Sequence, residues 1–104
     1  MKKYDTFDDY KLDHKVISFL EFNSYVIVLF DYMDFPKTEQ AKNLRCYNKN
    51  MELKWIAEHP TNAINDCYTQ IRINKNSLEA NNFAGYFCKI DLETGMLMNS
   101  EFTK

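Results

Sequence analysis

Short β-rich runs recur along this chain about every ten residues, with polar turns between them, and that rhythm belongs to antiparallel all-β domains. Val16-Ile17-Ser18-Phe19-Leu20-Glu21-Phe22 is the first run. Asn23-Ser24 serves as a turn, and Tyr25-Val26-Ile27-Val28-Leu29-Phe30 follows. The second run is apolar on both faces, which predicts the most buried strand. It is too short for an independent helix, and its composition favours β structure. Continuing in this way gives eight strands in two sets of four. The first set spans 16–22, 25–30, 44–48 and 52–57, and the second 67–73, 78–83, 86–91 and 96–102. The expected fold is all-β, with eight antiparallel strands in two four-stranded sheets packed as a sandwich or flattened barrel. A chain of 104 residues forms one domain, 1–104. It divides into an arm over 1–15, a first unit over 16–58 and a second over 66–102. The arm suits a short helix (Tyr4 and Phe7 fall at helical spacing) or an extended segment equally.

Turns in this chain are made largely without glycine. There are two glycines and eleven asparagines, and asparagine is among the non-glycine residues that best tolerate positive φ. Two segments read strand, polar turn, strand: Leu44 to Trp55, and Tyr86 to Met98. Each turn opens on Asn48 or Asp91, whose side chain can accept backbone N–H groups. Each also requires a residue at positive φ. Gly95 supplies it in the second turn. In the first, Asn50 or Met51 must do so. The same scarcity removes glycine-rich phosphate loops.

Charge and cysteines narrow the function classes. The formal charge is −2 and the sequence pI about 5.6, unlike the basic surface of a nucleic-acid binder. No apolar run is long enough for a signal peptide or a membrane-spanning helix. Cys46, Cys67 and Cys88 have neither zinc-ligand nor CxxC spacing. They read as reduced thiols on strands of a cytoplasmic protein. His14 and His59 read as surface or loop residues, and no serine has a GxSxG context. No catalytic, cofactor-binding or metal-ligating residues are assigned.

The two hairpin segments resemble the quinoprotein-type blade repeat of β-propellers, which runs aromatic-x-aliphatic-Asp-x-x-Thr-Gly-x-x-x-Trp. Ile90-Asp91-Leu92-Glu93-Thr94-Gly95 matches its core, with Met98 read in place of Trp. Tyr47-Asn48-Lys49-Asn50-Met51 through Trp55 keeps Trp, with Asn for Asp, Met51 near the usual Gly and a turn one residue shorter. The resemblance implies blade-like hairpins and a Trp55 packed between neighbouring sheets. Two units cannot close a propeller, so no quinone or other cofactor is carried over. The chain also resembles small bacterial proteins of unknown function built from two such sheets. Proteins of that kind are thought to serve as immunity or interaction partners.

The expected function is therefore a non-catalytic protein-binding module, with an immunity-type inhibitor that occludes a toxin as its specific form. Residues 31–43 form a long loop rich in charge and aromatics, and Asp31, Tyr32, Asp34 and Phe35 are its candidate partner-binding residues. The other reading is a small β-barrel that binds an apolar ligand or acts as an enzyme. Homodimerisation through a sheet face or edge is compatible with both. Neither nucleic acid nor membrane is expected as a partner.

Overall fold

The computed structural model describes Leu12 and residues 14–103. Apart from Leu12, His14 and Lys15, the arm expected over 1–15 lies outside the described residues. The eight strands are β1 (Val16–Phe22), β2 (Tyr25–Phe30), β3 (Leu44–Tyr47), β4 (Leu53–Ile56), β5 (Tyr68–Asn74), β6 (Ser77–Asn82), β7 (Tyr86–Ile90) and β8 (Leu97–Phe102). Every strand end lies within a residue of the sequence expectation. The strands form two antiparallel meanders, β1-β2-β3-β4 and β5-β6-β7-β8. Both sheets are open, so the flattened-barrel form does not arise.

Alternation places one face of each sheet against the other. Ile27, Leu29, Leu44, Cys46 and Trp55 from the first sheet meet Tyr68, Ile71, Leu78, Ala80, Cys88 and Ile90 from the second. All of them are buried. The opposite face of β2, with Val26, Val28 and Phe30, packs with Phe35, Ala41, Tyr47 and Cys67. That two-sided packing makes β2 a wholly apolar buried strand, as its sequence predicts. The three cysteines are free and buried. Burial pushes the Cys46 and Cys88 thiols up to about 11.

The two sheets are copies of one structural unit. Register shifts fall between Val16 and Ser18 in the β1–β2 pair, and between Tyr68 and Gln70 in the β5–β6 pair. A second shift lies between Cys46 and Tyr47, and again between Lys89 and Ile90. Beyond the first shift, Asp31 N donates to Lys15 O at 2.8 Å, and Phe83 N donates to Cys67 O at the same distance. β-Bulges are specific local features, so matching bulges in both sheets mark a repeat and not a generic meander. The repeat extends beyond the two hairpins in which the sequence showed it.

The turns confirm the glycine argument. Asn48 Oδ1 accepts from Asn50 N (2.8 Å) and Glu52 N (3.0 Å), and Asp91 Oδ1 accepts from Glu93 N (2.8 Å). Gly95 has φ +75°, and Met51 takes the left-handed position in the first turn, with φ +61°. Met51 also packs on the outer apolar cluster, and that contact offsets its backbone strain.

One assignment changes. Counting from Asn48 and Asp91 aligns Trp55 with Met98. The first turn is a residue shorter before its left-handed position, so the ladder aligns Trp55 with Asn99 instead. Trp55 pairs with Cys46 and Asn99 with Lys89, each partner lying just before the second register shift.

Trp55 joins the sheets, as expected. Its indole N–H donates to Leu92 O at 2.8 Å across the interface. Its ring covers Gly95 so closely that a Cβ there would lie 2.5 Å from the ring. Asn43 makes the second link. Its side chain is fully buried and donates to Phe30 O (3.0 Å) and Tyr68 O (2.8 Å), while accepting from Tyr68 N (3.0 Å). The amide thus acts as an extra peptide group between β2 and β5.

Gly95→Ala combines left-handed strain with overlap on the indole, and should cost about 2–4 kcal/mol. In a Trp55→Leu background its cost should fall to about 1 kcal/mol, as read by a urea double-mutant cycle. Asn43→Ala strands three buried backbone groups and should cost about 3 kcal/mol. Asn43→Asp should cost more at pH 7, because one carboxylate oxygen then faces two carbonyls. Urea titrations should show that gap narrowing as pH falls from 7 toward about 4, because the buried acid takes up a proton before the unfolded one does and so regains a donor.

Candidate functional site

The repeat isolates the segment that the fold itself does not require. In the second unit, residues 83–85 carry the chain from β6 to β7, while the equivalent step in the first unit takes residues 31–43. This insertion opens with a 3-10 turn, Tyr32–Asp34, and Asp31 caps that turn by accepting from Met33 N at 2.9 Å. Asp34 accepts from Lys15 N at 2.9 Å and lies 3.4 Å from His14 Nδ1. Phe35 turns inward and stacks on His14, with centroids 4.0 Å apart. The Arg45 guanidinium stands 5.5 Å from both the Phe30 and Phe35 rings.

The four candidate residues therefore divide. Asp31 and Asp34 shape the loop, and Phe35 belongs to the outer core. Tyr32 faces solvent, 42% exposed, and Met33 beside it is 64% exposed.

A second segment, residues 61–67, lies against the insertion. The Gln40 amide donates to Thr61 O (3.0 Å) and Ala63 O (2.9 Å), tying the two together. Asp66 holds the other side. Its buried carboxylate accepts from Thr61 Oγ1 (2.7 Å), Cys67 N (3.0 Å), Asn82 Nδ2 (2.9 Å) and Ala84 N (3.3 Å). Asn82 in turn accepts from Tyr86 N at 2.7 Å, so the segment is anchored to the second sheet. A buried carboxylate is tolerated where donors surround it in this way.

Between the two segments lies a pocket of about 150 Å³. Tyr32, Pro36, Ala41 and Ile64 supply apolar lining, and Asp66 and Cys67 form its buried end. Lys37, Glu39 and Asn65 line its exposed side. Ile64, 62% exposed, stands at the opening with Tyr32. The Lys37 ammonium sits 5.5 Å from the centroid of the Tyr32 ring. Burial beside the Asp66 carboxylate pushes the Cys67 thiol upward, so it is held as a thiol. Among the described residues, no group of three His, Cys, Asp or Glu side chains is arranged to hold a metal ion.

Sequence reasoning located the loop and missed the opposing wall. Ile64, Asn65 and Asp66 lie between the strands expected over 52–57 and 67–73, and the sequence reading assigns them no role. Their role arises from a contact between segments that share no local pattern. His59 lies in a loop, as read, but its ring turns inward. Its ring packs 4.8 Å from that of Tyr68, and both ring nitrogens are buried without hydrogen-bond partners. Burial, reinforced by Lys42 and opposed by Asp66, lowers its pKa to about 4.

These features define a two-layer antiparallel β domain built from a duplicated four-stranded unit, with a pocketed insertion in the first copy. The chain belongs to the family described as Domain of unknown function (DUF7957), whose model matches residues 6–102. A crystal structure of the computationally designed Ika8 protein is similar in fold, with TM-score 0.61 and 12% identity. The match covers 86% of this chain and 24% of that one, so this chain spans about a quarter of the neighbour. No curated protein matches. Among the described residues, no helix is long and apolar enough to cross a membrane.

The His59 environment gives a pH prediction. The folded pKa lies below the ordinary histidine value near 6.5, so between the two values the unfolded chain binds the extra proton. The stability contribution of neutral His59 is full above about pH 6.5 and is lost as pH falls toward 4, by at most about 3 kcal/mol. His59→Phe should remove that part of the acid sensitivity. Urea unfolding of both proteins at pH 7.5 and pH 4.5 measures it, and equal losses in the two proteins would contradict the assignment.

Proposed function

We propose that this domain is a non-catalytic protein-binding module whose contact surface is formed by residues 31–43 and 61–67. The duplication carries the reading. The second unit makes the same connection with a tight turn, so the insertion serves something other than the sheet. It presents Tyr32 and Met33 to solvent, and Ile64 joins them across the pocket. Exposed large apolar side chains around a concave, rigidly held site suit a protein interface. The blade-like reading of each sheet is supported by the repeat and by Trp55 resting on the neighbouring unit. It gives a stiff scaffold for a loop-borne surface.

An immunity-type inhibitor is the form of binding favoured for this module. Its contact would occlude a toxin partner in the cytoplasm. The barrel alternative draws no support from two separate four-stranded sheets whose inner faces pack on each other.

Affinity capture from the native host with wild-type protein and with Tyr32→Ala/Ile64→Ser tests the reading. Both side chains are exposed, so the variant should fold normally. A partner retained by the wild type should be lost, by about tenfold or more, in the variant. Equal retention by both, or no specific partner across growth conditions, would overturn the proposal.

A further inference from the structure

The pocket itself specifies what part of a partner it receives. We propose that it takes a single phenyl or phenol ring of a protein partner, with one carboxylate beside that ring on the partner. This rests on the protein-binding reading above and adds the chemistry of the anchor.

Size is the first argument. A cavity of about 150 Å³ is large enough for a benzene ring, and the pocket has this volume. Its lining is the second. Tyr32 offers a ring, and Pro36, Ala41 and Ile64 offer aliphatic surface. Rigidity is the third. Gln40 fastens the two segments to each other, and Asp66 fastens one of them to the second sheet. A preformed hole loses little entropy when a rigid aromatic side chain fills it, and buried aromatic anchors dominate interface energetics.

Charge supplies the fourth argument. Lys37 lines the pocket on its exposed side, held over the Tyr32 ring. It has no carboxylate within ion-pair distance among the described residues. An acid next to the inserted ring would meet it. Glu39 lines the same pocket, also without an ion-pair partner among the described residues, and repels a second acid. One carboxylate beside the ring fits, and an acidic run does not.

Blocked dipeptides test this directly. The probes are N-acetyl-Asp-Phe-amide, N-acetyl-Asp-Ala-amide and N-acetyl-Lys-Phe-amide, titrated into the 104-residue chain with methyl-labelled Ala and Ile. Asp-Phe should shift the Ala41 and Ile64 methyl signals saturably. Asp-Ala should bind at least about tenfold more weakly, as expected when an anchor ring is removed. Lys37→Glu, a surface change, should reverse the preference between Asp-Phe and Lys-Phe. Equal response to Phe and Ala probes, no saturable shift at these methyls, or an unchanged preference in Lys37→Glu would overturn the inference. Ala41→Leu, which fills the pocket, separates this failure from that of the broader reading. If a partner is captured in a Tyr32- and Ile64-dependent way yet Ala41→Leu retains it fully, the surface stands and the pocket anchor falls.

Discussion

The indole of Trp55 lying on the bare Cα of Gly95 determines how the two halves of this protein meet. The contact needs a large flat ring on one sheet and the absence of a side chain on the other. It also needs a turn that places the glycine at positive φ, facing the ring. Leu92 O then receives the indole N–H, so the polar atom of the ring is satisfied as the ring is buried. Beyond this contact the inner faces follow by alternation alone. Asn43 closes the arrangement by supplying to β2 and β5 the hydrogen bonds that no strand neighbour provides.

The duplication lets equivalent faces of the two sheets be compared residue by residue. Leu20, Ile27, Leu29, Cys46 and Trp55 of the first sheet occupy the face that meets the second. By register, the corresponding residues of the second sheet are Arg72, Glu79, Asn81, Lys89 and Asn99. Arg72 bonds Glu79 at 3.1 Å and Asn81 at 2.9 Å, and its guanidinium lies 5.0 Å from the Phe87 ring centroid. That face is polar where its counterpart in the first sheet is apolar. At the other end, Met51 fills the left-handed site that Gly95 leaves bare. The same backbone unit thus presents an apolar face in one copy and a polar face in the other, by side chains and not by a change of fold.

Much of this was legible in the sequence because β structure with Asn- and Gly-marked turns is a local signal. Tyr25 to Phe30 announced its burial by having no polar face. Gly95 and the missing glycine at Asn50-Met51 announced their turns. Setting Met98 against Trp55 miscounts by one position: the first turn is one residue shorter, and the motif counted from Gly95 gives Asn99, as the hydrogen-bond ladder does. Asn43 and Asp66 were invisible for a different reason. A buried polar side chain that bridges segments distant in sequence looks, locally, like any other turn residue. Of the loop candidates, Tyr32 remains on the surface. Asp31, Asp34 and Phe35 build the loop that displays it, since an ordered insertion of this length must satisfy its own backbone before it can present anything.

That division of labour links the site to the fold. The pocket exists because the insertion in the first unit meets a segment leading into the second, so neither unit alone contains it. Cys67, at its buried end, belongs to the outer core cluster and directly precedes β5, where Asn43 clasps Tyr68. The network that holds the two sheets in register therefore also sets the width of the pocket. A binding surface built this way is carried by a loop, yet its geometry is held by the junction between two sheets. An insertion placed at the junction, rather than at a free hairpin tip such as Asn23-Ser24, acquires a rigid concave surface without any cost to the ladder of either sheet.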